Sequence, residues 1–414
     1  MKQDNFKVYG YRWIVLIVFM FIVAITQLLW ITFAPITGDA AKFYGVSDLS
    51  IGLLSMSFML VYIVVSIPAS WVIDTYGIRV AVGIGAALTA VFGLLRGVWA
   101  SNYTLVLIAQ IGVAIGQPFV LNAVTTVAAR WFPVRERATA SGLGSLAMYL
   151  GIFLGLALTP YLTIHFQIGG MLVAYGIASV VAALVFFVFA RERPATPPCP
   201  PGMEVRSLVF DGFKQMFHKK DFILLLVIFF IGLGAFNAVT TWIEDIVRPH
   251  GFSSTQAGII GGLMIVGGIL GALVIPSLSD HYRKRTPYII VALVGATLGL
   301  AGIAYATSYW LLLVAAFVMG FFLLSAGPIG FQYGAETTYP TPEGTSNGLL
   351  ILMGQISGIV FIFGMDSFKS PETGSMTLSL VALIGLMALS LVLSFFLKEP
   401  KTLLTESVKP GDAA

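Results

Sequence analysis

Trp30 follows Gln27 by three residues, a spacing that puts both on one face of a helix. Tryptophan is the strongest cation–π partner for a quaternary ammonium. Gln117 and Gln355 stand near the middle of long apolar runs, where an uncharged amide is costly and faces protein rather than lipid. Such a set can hold a small amine, with the ring face on the cation and the amides on its polar end. Interhelical hydrogen bonds and aromatic packing account for the same residues without any solute. Tyr149 joins the candidates because it lies 206 residues before Gln355, at the same place in a repeated pattern.

A second set carries charge at the ends of such runs. Asp74-Thr-Tyr-Gly77-Ile-Arg79 has an echo in Asp280-His-Tyr-Arg283-Lys-Arg285, and Arg130-Trp-Phe-Pro-Val-Arg135-Glu-Arg137 has one in Glu336-Thr-Thr-Tyr-Pro340-Thr-Pro-Glu343. An acid at a helix end can pair with neighbouring cations or with a helix N-terminus and so hold one face of a protein closed. Ordinary loop charge is the competing explanation; retention of the aspartate in both copies favours gating for the first pair of segments, whereas structural anchoring is favoured over gating for the Arg130 and Glu336 segments.

Enzyme chemistry has no visible seat. Cys199 is the single cysteine, which excludes an internal disulfide and a cysteine-based zinc site. His165, His218, His250 and His281 fall at the ends of apolar runs or between them, so histidine ligation of haem in the interior is not expected. There is no nucleophile with a base at useful spacing and no glycine-rich phosphate loop for ATP. No metal or cofactor is expected. A receptor that signals through a soluble domain fits poorly, since only 16 residues follow Lys398 in the 414-residue chain.

The elements that must carry these residues follow from composition. The chain is 58% hydrophobic and 10% charged, with a mean hydropathy of +0.93, against about 25% charged residues in a soluble domain. Its apolar blocks have the length that crosses about 30 Å of hydrocarbon. Spans are placed at 12 to 36, 49 to 69, 79 to 98, 102 to 126, 138 to 162, 168 to 190, 221 to 243, 256 to 278, 287 to 306, 310 to 334, 344 to 365 and 376 to 397. Residues 191 to 220, with five prolines between Pro194 and Pro201, read as a cytoplasmic linker between a bundle over 1–190 and one over 221–398; 399–414 form a tail. The first block lacks a cleavage pattern and reads as a retained helix.

Positive residues resist translocation. With both termini cytoplasmic, only Lys42, Arg96, Arg248 and Lys369 lie on the far side, so the basic pI of 9.0 reflects topology rather than a nucleic-acid partner. Aligning Gly45 to Gly52 with Gly251 to Gly258 gives an offset of 206 residues, which also sets Asp74 on Asp280, Arg79 on Arg285, Gly142 on Gly348 and Tyr149 on Gln355. Two repeated six-helix halves with the solute bound at mid-membrane describe an all-α secondary transporter of the major facilitator type. A monomer in the cell (plasma or inner) membrane is the expectation. Asp39, Arg96, Glu244, Asp245 and Asp366 fall toward the outer ends of spans and Glu336 toward an inner end. With no Asp, Glu, Lys, Arg or His near any span centre, neither proton coupling nor an anionic solute is expected, and facilitated movement of a neutral or cationic solute is.

Several patches sharpen the assignment. Leu-Trp30-Ile-Thr-Phe, Gly116-Gln117-Pro-Phe-Val-Leu with Arg130-Trp131-Phe132, Gly234-Ala-Phe236, and the run from Glu336 through Gly348-Leu349 to Gln355 resemble the feline leukaemia virus subgroup C receptor-related family. That family is a major facilitator branch associated with choline and ethanolamine transport and with haem export. The resemblance implies that Trp30, Gln117 and Gln355 hold the cationic amine. The family's tyrosine in span seven is replaced by Asn237, which removes one wall of an aromatic cage, and Gln332 stands where the family tends to have glutamate. Another neutral or amphipathic metabolite, haem or a drug is the alternative cargo.

Overall fold

The computed structural model describes residues 8–196, 198, 216–339 and 343–400, and all regular structure among them is helical. Physical necessity dictates this, because lipid offers no partner for a backbone N–H or C=O and a helix satisfies both within itself. The first half contains α1 (Tyr11–Ile31), α2 (Thr37–Tyr44), α3 (Asp48–Tyr76), α4 (Ile78–Val98), α5 (Tyr103–Leu121), α6 (Val124–Trp131) and α7 (Val134–Phe189). The second contains α8 (Lys220–Thr241), α9 (Ile243–Val247), α10 (Ser254–His281), α11 (Thr286–Tyr305), α12 (Tyr309–Thr338), α13 (Glu343–Ser367) and α14 (Thr377–Ser394).

Eleven stretches among the described residues are long and apolar enough to cross a membrane, and one of them, Thr139–Phe189, has 51 residues. At about 1.5 Å per residue a straight rod of that length is more than twice the ~30 Å hydrocarbon core. It is not straight. Gln167 has φ 59° and ψ 174°, and the hydroxyls of Thr159 and Tyr175 meet at 2.9 Å across the break. In one helix, residues so far apart in sequence lie roughly 24 Å apart. The chain turns back at Gln167, α7 makes two crossings, and the described residues make twelve.

Several spans outrun the lengths expected from hydropathy: α3 continues to Tyr76, α5 with α6 reaches Trp131, and α12 reaches Thr338. Helical hydrogen bonding persists past the point where side chains become polar, so apolar content marks the lipid boundary and not the helix end. Serine and asparagine start the helices at the opposite ends. Ser47 accepts from the Ser50 amide at 3.2 Å, Asn102 from Leu105 at 3.1 Å, and Ser253 with Gln256 forms a capping box. Ser47 and Ser253 hold the same position in the repeat.

The chain divides into two compact units, Met1–Ser207 and Leu208–Ala414. Within the first, α7 packs against α1 and α4, while α5 packs between α3 and α4. Within the second, α12 packs against α10 and α11, α8 against α13, and α11 against α14. Much of the expected linker, including Cys199, lies outside the described residues, as do Pro340 and most of the expected tail.

Backbone-to-backbone approach decides the α1–α7 contact. A Cβ on Gly151 would collide with the Ala24 carbonyl and with Cβ of Gln27, whereas one on Gly142 would meet nothing within 4 Å. Gly151→Leu is therefore expected to cost about 1–3 kcal/mol or more and to lower the melting temperature of the purified protein in detergent, with Gly142→Ala unchanged. Equal melting of both variants would remove this account of the contact.

Candidate functional site

In the first unit the candidate polar groups come from three helices. Gln27 and Trp30 lie on the last two turns of α1, Gln117 on α5 one residue before Pro118, and Tyr149 on the first arm of α7. The Gly151 approach sets α7 directly beside Gln27. Gln27 is 3% exposed, and Gln117 and Trp30 are each 6% exposed. Trp30 is fixed: its indole Nε1 donates to the Ser55 carbonyl at 3.1 Å, and the Ser55 hydroxyl donates back to the Trp30 carbonyl at 3.4 Å. Its N–H is thus satisfied by α3. By contrast, among the described residues the side chains of Gln27, Gln117 and Tyr149 make no hydrogen bond, yet their polar atoms are not sealed inside the protein. The interhelical bonds that would have explained these amides without a solute are absent there.

In the second unit Phe236 and Asn237 lie on α8, and Gln355 on α13. Asn237, 9% exposed, donates from Nδ2 to the Gly354 carbonyl at 3.1 Å. It binds α8 to α13 at the residue preceding Gln355. A Cβ on Gly354 would strike Leu233 of α8, so the two helices touch there. Gln355 is half-buried and, like Gln117, has no hydrogen-bond partner among the described residues.

Twelve crossings in two helical units carrying polar, partner-free residues have a clear counterpart among known proteins. The Major Facilitator Superfamily profile matches residues 15–362. This chain belongs to the major facilitator superfamily. It is a secondary transporter and an integral membrane protein. The Danio rerio protein named solute carrier family 49 member A3 is 31% identical over 385 residues, covering 89% of this chain and 80% of that protein. The Danio rerio choline/ethanolamine transporter flvcr2a is 30% identical over 382 residues, covering 86% and 80%. The expected likeness to the feline leukaemia virus receptor-related transporters is therefore met. A bacterial homologue of the human lysosomal transporter Spinster, solved in an inward-facing conformation, shares the fold with a TM-score of 0.73 at 17% identity, over 98% of this chain and 100% of its own.

The transporter's charged loop residues divide differently between its halves. In the second unit Arg285 is buried and pairs with Asp280 and, at 3.1 Å, with Glu336, which also accepts from Gln332 at 2.8 Å. Burial works against the Arg285 charge, but the two carboxylates outweigh it and hold the guanidinium pKa above its ordinary value. In the first unit the equivalent Arg79 and Asp74 side chains are exposed and make no ion pair among the described residues. Arg130, the repeat counterpart of Glu336, pairs instead with Glu192.

Glu192 was not a sequence candidate. Its carboxylate accepts from the backbone amides of Ile78 at 3.1 Å and Arg79 at 2.7 Å, capping α4. Glu399 does the same for α11, accepting from Arg285 at 3.0 Å and Thr286 at 2.8 Å. An anion at a helix N-terminus is favourable, and each half draws it from just beyond its last helix. The sequence signal was present as Arg191-Glu192 and Lys398-Glu399.

Arg96 stands near a span end, as expected, yet it is buried. Arg96 is 0% exposed and donates from Nη1 to the Leu29 carbonyl at 2.9 Å. It does lie toward the outer end of its span, but the end of α1 and neighbouring helices enclose it. Asp245, also at an outer end, is wholly buried and accepts from Arg248 and from Lys369, the latter at 2.7 Å.

Gly77 and Arg283 occupy one repeat position and both have positive φ. Gly77 has φ 91° and Arg283 has φ 52°. The Arg283 side chain is exposed and unpaired among the described residues, so this position serves the chain reversal before α11. A Cβ on Gly77 would also strike the Glu192 carboxylate. Gly77→Ala is expected to destabilise by about 1–3 kcal/mol. Arg283→Gly is expected to stay within about 0.5 kcal/mol of wild type, because relief of left-handed strain and added freedom of the unfolded chain are similar in size. Thermal melts of both variants test the pair, and a harmless Gly77→Ala contradicts the positive-φ account.

Proposed function

We propose that this transporter moves a small organic amine of the choline or ethanolamine kind by alternating access, as facilitated diffusion down the amine's electrochemical gradient. The observation that carries the reading is the set of partner-free amides: Gln117 and Gln355 sit among apolar helices with their hydrogen-bonding capacity unused by the protein. Their polar atoms are unsealed and unused by the protein, which leaves them available to a solute. Trp30, Gln27 and Tyr149 in the first unit, with Phe236 and Asn237 in the second, supply the remaining contacts. Similar proteins carrying the choline/ethanolamine name support the same solute class. In this reading Asp74, Gly77, Arg79 and Arg130, with Asp280, Arg283, Arg285 and Glu336, govern closure of the cytoplasmic face.

The second reading keeps the transporter and changes the cargo to another neutral or amphipathic metabolite, haem or a drug. It is favoured by Asn237, whose amide is committed to the Gly354 carbonyl where the related family carries an aromatic ring. Arg96 has no bearing on proton coupling, since an arginine does not titrate in the physiological range.

In liposomes holding the purified protein, uptake of radiolabelled choline and ethanolamine is expected to saturate and to follow an imposed membrane potential. Trp30→Ala and Gln117→Ala are each expected to lower it at least tenfold. Uptake no higher than in empty liposomes, from protein shown to be folded, would sink the amine reading and leave the second. Orientation has a separate check. With both termini cytoplasmic, native Cys199 reacts with a membrane-impermeant maleimide only after cells are opened, whereas Ser101→Cys in a Cys199→Ser background reacts in intact cells; the reverse pattern inverts the topology.

A further inference from the structure

The outer end of the first unit holds a cation for which neither the fold nor the amine reading has a use. Arg96, in the last turn of α4, is wholly enclosed. Its Nη1 donates to Leu29, and its guanidinium carbon lies 5.5 Å from the Phe33 ring centroid. Its other edge, Nε with Nη2, has no acceptor among the described residues, and no carboxylate there lies within ion-pair distance. Tyr44, whose hydroxyl also lacks a partner, is within electrostatic reach, as is Tyr175, whose hydroxyl is bonded to Thr159.

Capping the end of α1 does not explain the residue. The Leu29 carbonyl already receives Thr32 Oγ1 at 3.1 Å and Gln110 Nε2 at 3.4 Å. A helix C-terminus also presents only about half an elementary negative charge, against a full positive one. Nor does the repeat require it. The offset of 206 sets Gly302 at the position of Arg96, Ala316 at that of Gln110 and His250 at that of Tyr44. The unused Nε/Nη2 edge is the planar fork that takes two oxygens of one carboxylate or phosphate.

We propose that Arg96 and Tyr44 form an anion subsite in the outer half of the first unit, taking a carboxylate or phosphate group from a zwitterionic solute or as a free small anion. The edge is sealed from water in this conformation, so the anion enters when the outer end of the unit opens. The zwitterion source rests on the amine reading above; the free-anion source does not.

The test uses full-length protein in lipid nanodiscs. Binding of glycine betaine and phosphocholine is compared with that of choline, and melting temperature is compared in sodium chloride and sodium phosphate at equal ionic strength. The expected result is that one of the two zwitterions binds more tightly than choline and that Arg96→Gln cuts this preference at least tenfold. Arg96→Lys, which keeps the charge and loses the fork, is expected to restore only part. Stabilisation of wild type by phosphate over chloride, absent in Arg96→Gln and with no preference for zwitterions, supports the subsite with a free anion as its source. Should Arg96→Gln not fold, Arg96→Lys and Tyr44→Phe are read instead, each expected to weaken the anion effect severalfold. Anion responses equal in wild type and all folded variants overturn the proposal. Failure of choline and ethanolamine uptake alone bears only on the amine reading, because the salt comparison contains no amine.

Discussion

Lipid cannot hydrogen-bond to a peptide group, and the rest of the molecule depends on that constraint. It makes every crossing a helix, and it sets a cost on each polar side chain that leaves its own helix unanswered. Most inner polar groups meet the cost within the unit. Trp30 reaches Ser55, Asn237 reaches Gly354, and Asn122 accepts from Tyr62 at 2.7 Å and donates to Ser66 and Ser70. Gln27, Gln117, Tyr149, Gln355, the Tyr44 hydroxyl and one edge of Arg96 are among those that do not. Those exceptions are where the functional argument begins.

The same constraint shapes the helix ends. Carbonyls and amides left over at a terminus need partners from elsewhere in the unit, and here the partners are charged. Glu192 and Glu399 meet the starts of α4 and α11, and Lys219 donates to the Thr337 and Tyr339 carbonyls at 2.7 and 3.0 Å near the end of α12. Each of these ties together segments far apart in sequence. A carboxylate that caps a helix and also pairs with an arginine, as Glu192 does with Arg130, couples backbone and side-chain electrostatics at one point.

Repetition of the halves is backbone deep and side-chain shallow. Ser47 and Ser253 start equivalent helices, and Gly77 and Arg283 both take positive φ. Yet the second unit buries an arginine ion-pair network where the first leaves Asp74 and Arg79 exposed, and the first buries Arg96 where the second has Gly302. A duplicated helix frame tolerates this divergence because each helix satisfies its own backbone, whatever side chains it bears.

Composition, block length and the 206-residue register determined by themselves that the chain spans a membrane twelve times in repeated halves, because hydrocarbon thickness and backbone hydrogen bonding admit few other solutions. The candidates Trp30, Gln117 and Gln355 were also legible, since a polar residue within an apolar run announces its cost. Tertiary structure alone decided which of these groups are answered. Trp30 and Asn237 are, and the glutamines are not, because partners such as Ser55 and Gly354 come from helices that sequence spacing does not relate. It also decided that Glu192 and Glu399 cap distant helices and that Arg96 is enclosed. Burial and hydrogen-bond partnership depend on what packs alongside, and a residue near the end of an apolar run looks the same in sequence whether it faces water or the broken end of another helix.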